Sequence, residues 1–149
     1  MTQANAQDCI NDVVNKMKST QQFGTAGKEV IFTIYSEEDL FDKAKLVKYP
    51  AVGIIYEGTR ENNSDRSGQG LGATCNIGLV LLLNGKSVGG IDQKNEAAIL
   101  LDTMRKTFRE QNGKSPTGHA WKFTSELSMG QINGLLVYIQ RWQTMIIMN

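Results

Sequence analysis

The chain has 149 residues, 40% hydrophobic and 21% charged, with a formal net charge of +1. That length suits one domain with a substantial core, and the composition excludes wholesale disorder. A nearly neutral chain with no clustered Lys/Arg stripe lacks the bulk electrostatics of a general nucleic-acid binder.

In chain order, residues 7–20 predict a helix. Ile10, Val13, Val14 and Met17 recur at i, i+3, i+4 and i+7, and Asp8 near the start suits the helix dipole. Gly24 and Gly27 break the pattern. Residues 29–35, rich in β-branched and aromatic types, predict a short strand. Residues 36–49 read as a connector with one helical turn around Leu40 and Phe41. Within it Lys43, Lys45 and Lys48 mix with Asp39 and Asp42, a solvated group.

Pro50 opens a second strand over 51–60. A third strand lies within 70–84, with Cys75, Ile77, Leu79, Leu81 and Leu83 on one face. Val80 and Leu82 add apolar groups to the other face, so its far half should be covered on both sides. Between these strands lies a polar loop, residues 57–72. Loops of that length in compact domains are commonly functional or disordered. Asn84 to Ser87 is turn chemistry.

Asp92 predicts the N-cap of a helix over 93–110, with Ala97, Leu101, Met104 and Phe108 in a stripe widened by Ile99 and Leu100. Asn112 and Gly113 should end it. Residues 121–129 alternate: Trp121, Phe123, Ser125, Leu127 and Met129 against Lys122, Thr124, Glu126 and Ser128. Gly130 to Gly134 reads as a turn before a long last strand, residues 135–148. The expected fold is α+β: a mostly antiparallel sheet of about five strands with two helices on one face, order α-β-β-β-α-β-β.

The chemistry that comes close falls short. Gly78 to Ser87 ends in Gly-Lys-Ser, but six residues separate Gly78 from Gly85, where a phosphate loop needs about four. Gly24 to Lys28 is too short for the same purpose. His119 is the single histidine, in a Pro-Thr-Gly-His loop, and Cys9 and Cys75 read as buried free thiols rather than a disulfide framework. Metal binding would need scattered carboxylates, and Glu37, Glu38, Asp39 and Asp42 lack the glycine and spacing of a calcium loop. Asn62-Asn63-Ser64 matches a glycosylation acceptor, which carries no weight without a secretory route. No catalytic residue, cofactor or metal is assigned. No secretory signal and no membrane span are expected, the longest apolar run being Leu79 to Leu83.

The order and character of these elements resemble the tail terminator (tail completion) proteins of tailed bacteriophages. The resemblance is carried by the N-terminal helix, the Val30-Ile31-Phe32 strand and the strand from Tyr49-Pro50-Ala51-Val52 to Tyr56-Glu57-Gly58. The long strand Thr74 to Leu83, the 93–110 helix and the two closing strands complete it. It covers most of the chain and rests on no short diagnostic motif. It implies a single-domain structural virion protein, not an enzyme. Such a protein would form a homo-oligomeric ring, a hexamer in the family, that caps the tail tube and stops its growth. It would offer a joint to sheath or neck and connector proteins, and DNA would pass through its lumen without sequence-specific binding. Assembly would occur in the host cytoplasm, and the final place would be the tail-neck junction of the virion.

The expected partner contacts under that resemblance are Glu57, Thr59, Arg60, Glu61, Asn62, Asp65, Arg66 and Gln69 on the loop, with Arg141, Trp142, Met145 and Ile147 on the last strand. The apolar end of that strand is expected to pair with another subunit or a tail protein. Other classes are a different neck or head-tail joining component and a small ligand-binding or enzymatic α+β domain. The last would bring Glu57, Arg60 and His119 into one cleft.

Overall fold

A computed structural model describes residues 5–20, 30–44, 50–61, 71–84, 93–110 and 115–148. Its first element is helix α1, Ala6–Lys18. Asn5 caps it: its side-chain oxygen accepts from Asp8 N at 3.0 Å, and the Asp8 carboxylate accepts from Asn5 N at 2.9 Å. This reciprocal box satisfies amides that the first turn cannot pair internally. The stripe that packs inward is centred on Cys9, Val13 and Met17, with Ile10 and Val14 at its margin.

Strand β1, Ile31–Ile34, is followed by helix α2, Glu37–Ala44, where one helical turn was expected. Ser36 Oγ accepts from Asp39 N at 3.1 Å, and the Asp39 carboxylate accepts from Tyr35 N at 3.1 Å. Strand β2 covers Ala51–Glu61 and strand β3 covers Leu71–Asn84. Helix α3 is Gln93–Glu110, strand β4 is Lys122–Ile132 and strand β5 is Leu135–Met148. The fold is α+β, with three helices and one five-stranded sheet in the order β1-β2-β3-β5-β4.

All pairings are antiparallel except β1 with β2, which is parallel. A parallel neighbour requires a crossover, and α2 is that crossover. The two-helix order expected from sequence omitted it.

The two helices expected from sequence, α1 and α3, share one face as expected, and the third, α2, lies on the other. Residues paired across a ladder project to the same side. Val52, Ile54, Ile77, Leu79 and Leu81 therefore share a side with Gln140 and Trp142, and α1 and α3 cover it. Gly53 projects to the other side, and a Cβ there would lie 3.4 Å from Leu40 Cδ1 of α2 and 3.1 Å from Phe32 Cε2. Thus α2 sits on the opposite face, at the β1 edge. Around it that face is apolar and buried, through Ala51, Val80, Leu82, Val137 and Ile139. The expected cover on both sides of β3 is present in this half.

On the α1/α3 side, Phe108 stacks on Trp142 with centroids 4.0 Å apart and rings 7° from parallel, and meets Trp121 edge-on at 5.7 Å. Leu100 joins the buried stripe of α3, whereas Ile99, also expected there, is 64% exposed. Trp121 Nε1 donates to Asp12 Oδ2 at 2.9 Å, and Lys16 Nζ lies 2.8 Å from the same oxygen. Lys16 is only 2% exposed, so this pair supplies the countercharge its burial requires.

Two further differences concern β4. Its strict alternation fails at bulges between Phe123 and Ser125 and between Ser128 and Gly130. Phe123 shares a side with Trp142, but Leu127 pairs with Ile139 on the opposite side, and Glu126 pairs with Gln140. The strand also continues through Gly130 to Ile132, so the turn is only Asn133-Gly134. Both residues have positive φ, 51° and 81°, the two-residue hairpin geometry that Asn-Gly favours. Residues 24–28, 85–92 and 111–114, with their expected breaks, caps and turns, lie outside the described residues.

Candidate partner-contact face

The half of the sheet opposite α1 and α3 and away from α2 is polar and open. Its shape begins with a bulge in β2, where the register shifts between Tyr56 and Gly58. Gly58 takes φ 108°, which suits a residue without Cβ. After the bulge, Arg60 pairs with Thr74 and lines the open face, while Thr59 pairs with Cys75 on the helix side. Across β3, Thr74 pairs with Met145 and Asn76 with Gln143. Lys122 of β4 pairs with Gln143 in turn.

A groove of about 480 Å³ follows these positions, lined by Glu57, Arg60, Thr74, Asn76, Arg141 and Gln143 among others. A neighbouring hollow of about 310 Å³ shares Thr74 and Gln143 and extends to His119, Lys122 and Met145. The 115–120 segment forms its wall. Ser115 N donates to His119 O at 2.8 Å, and Thr117 Oγ1 donates to Met145 O at 2.7 Å.

The ion pair in the groove spans three strands. Arg141 Nε donates to both Glu57 oxygens, at 3.1 and 3.2 Å, from β5 to β2. Between them β3 presents Gly78, and a Cβ there would stand 2.9 Å from Glu57 Oε1. The missing side chain is what lets the carboxylate lie across β3. The pair is partly exposed, so its own contribution is of order 0–1 kcal/mol. Its effect is to hold one face of the Arg141 guanidinium in place. Arg60 and Lys122, by contrast, form no ion pair among the described residues.

Of the contact residues expected from sequence, Glu57, Arg60, Arg141 and Met145 come together on this face. Thr59 and Glu61 pair with Cys75 and Ala73 on the helix side, where Thr59 shares a short hydroxyl contact with Tyr56. Trp142 is 3% exposed and stacked on Phe108, so its side chain is a core group and not a contact. Ile147 stands in register with Gly72. Asn62, Asp65, Arg66 and Gln69 lie outside the described residues. The end of β5, expected to seek another chain, is paired with β3 as far as Leu71 opposite Met148. Asn76, His119, Lys122 and Gln143 were not singled out from sequence as contacts. Their convergence depends on register between strands distant in sequence.

Cys9 and Cys75 are buried free thiols that hydrogen-bond to each other, and this bond, with burial, pushes the Cys9 thiol well up. A thiol held protonated is a poor nucleophile, and the same hydrogen bond lowers the Cys75 thiol, which is fully buried. His119 is on the exposed 115–120 segment, in the hollow beside the groove that holds Glu57 and Arg60. Among the described residues no group of three or more His, Cys, Asp or Glu side chains could hold a metal ion, and no helix is long and apolar enough to cross a membrane. Compared with protein-family models and with curated proteins, the chain matches none.

Proposed function

We propose that the protein is a structural assembly component of a phage tail, acting as a terminator. Copies of it would form a ring, a hexamer as the resemblance implies, that docks on the last ring of the tail tube and stops its growth. The same ring would receive sheath or neck and connector proteins, and would let DNA through its lumen without reading sequence. Its place would be the tail-neck junction of the virion.

One observation carries this reading. The open polar face lies where β2 and β3 run toward residues 62–70, and it gathers Glu57, Arg60, Arg141 and Met145. A broad, shallow face with mixed charges and an exposed methionine suits protein contact better than a closed substrate pocket. Much of the sheet's apolar surface is already buried, while this face is open to a partner; Tyr56, Phe123, Leu127 and Met129 are exposed elsewhere on the sheet.

The test is binding of purified protein to tail tubes, read by electron microscopy of tube ends and by native mass spectrometry. The expected result is density confined to tube ends and a closed oligomer in their presence. A protein that stays monomeric and ignores tube ends overturns the reading. Density against the head connector rather than the tube would instead mark a neck or joining component. Deleting residues 62–68 should weaken end-binding while leaving cooperative unfolding intact.

A further inference from the structure

The open face carries three cationic side chains around one fixed anion. Arg60 and Lys122 form no ion pair among the described residues. Arg141 directs its Nε at Glu57, and its terminal nitrogens make no hydrogen bond among the described residues. We infer that this face binds an extended, acidic segment of a partner protein, laid across β2, β3, β5 and β4. The inference rests on the assembly role proposed above and assigns the chemistry of the partner.

Register sets the spacing of the cations. Lys122 pairs with Gln143, two residues along β5 from Arg141 and one strand over. With adjacent strands about 4.8 Å apart and a rise of about 3.4 Å per residue, the two backbones are about 8 Å apart. Arg60 is level with Met145 through Thr74, two strands from β5. It therefore stands about 17 Å from Arg141 on the same arithmetic. Same-side residues of an extended chain recur about every 7 Å. Arg60 and Lys122 are about 16 Å apart on the same arithmetic, so carboxylates about four residues apart on a segment crossing the sheet can reach these two, with Arg141 about 8 Å to one side of that line.

The rest of the lining suits a peptide more than a polynucleotide. Gln143 offers both a donor and an acceptor, as peptide amides require. Glu57 can accept hydrogen bonds from peptide amides, whereas a phosphodiester backbone has no donor to offer. Met145, 44% exposed, adds an apolar footing. Nucleic-acid platforms use exposed aromatic rings. Here exposed Tyr56 and Phe123 pair with Ile77 and Trp142 on the helix side, and Tyr35 follows β1 at the far edge of the sheet.

The experiment titrates the full chain with N-acetyl-hexaglutamate amide at low ionic strength, following backbone amide shifts, with hexadeoxythymidylate as the competing probe. The expected result is shifts centred on Arg60, Lys122, Arg141 and Gln143, with affinity falling at least about tenfold in about 1 M salt, where screening acts within about 3 Å. The double variant R60E/K122E, checked for unchanged circular dichroism, should lose binding by a similar factor. Failure of the peptide to bind, binding that the double variant leaves unchanged, or tighter binding of the oligonucleotide each overturns the inference. The two readings separate cleanly. If the double variant still caps tube ends, the acidic-segment inference fails and the assembly role stands. If wild type ignores tube ends yet binds the peptide through Arg60 and Lys122, the reverse holds.

Discussion

Glu57 and Arg141 are joined over the bare backbone of Gly78. Their strands are not neighbours: β3 lies between them, and the carboxylate crosses it because position 78 has no side chain. A glycine in the middle of a strand ordinarily weakens it. Here it creates the floor of the groove and fixes the guanidinium at its centre.

Gly78→Ala tests this relationship. The new Cβ would stand 2.9 Å from both Glu57 Oε1 and Ile55 Cγ2, closer than real Cβ contacts. The carboxylate can swing away, but Ile55 is a stiff β-branched residue in the adjacent strand. Overpacking of this kind costs about 1–3 kcal/mol, whereas Arg141→Gln, removing a partly exposed ion pair, should cost under about 1 kcal/mol. Urea unfolding of the two variants compares them. Equal, small losses would mean that Gly78 is not the constraint.

Phe108→Ala should be the most damaging single change on the α1/α3 side. Phe108 is fully buried, stacked on Trp142 and edge-on to Trp121. Truncating such a ring costs about 3–5 kcal/mol. Both tryptophans of the chain touch it, so the emission spectrum should shift with the substitution. A loss under about 1 kcal/mol, with unchanged emission, would contradict the packing.

Which parts of this arrangement were legible in the sequence follows from the range of the interactions. The stripes of α1 and α3 and the alternation of β3 are local periodicities, and they appear where expected. The α2 helix had a local signal too: Ser36 and Asp39 at capping-box spacing, with Asp39 accepting from Tyr35 N. Its apolar stripe, Leu40 and Phe41, is too short to register as a period. The sides of β4 were not legible, because two bulges shift its phase: Gly130, with φ 79°, marks the second, but no glycine marks the first, between Phe123 and Ser125. The open face was half legible. Glu57, Arg60, Arg141 and Met145 could be named from their strands, but Lys122 and Asn76 join them only through cross-strand register.

Gln140→Leu should destabilise more than its similar size suggests. Gln140 is 0% exposed, yet its polar atoms are all used. Its Nε2 donates to Leu101 O at 3.2 Å and to Glu126 Oε1 at 2.8 Å, while its Oε1 accepts from Trp142 Nε1 at 2.7 Å. Glu126 also accepts from Arg105 of α3. Leucine would strand the indole N–H, at about 1–3 kcal/mol for a buried unsatisfied group, whereas the Leu101 carbonyl keeps its helical bond within α3. Glu126→Gln, which keeps an acceptor toward Gln140, should cost less. A neutral Gln140→Leu in thermal unfolding would refute the network.

The two thiols offer a reading of global opening. Cys9 on α1 and Cys75 on β3 are fully buried and hydrogen-bonded to each other, so reagent can reach them only when helix and sheet separate. In native buffer, reaction with a bulky aromatic disulfide reagent should be slow for both thiols together. Its rate should rise with denaturant along the slope of global unfolding, since the probe reports the equilibrium population of the open state. Because both thiols react only from the open state, raising the pH should accelerate labelling of the folded protein and of the unfolded chain by similar factors. Rapid native labelling of one thiol would show that α1 lifts from the sheet independently, and would overturn the single cooperative core argued here.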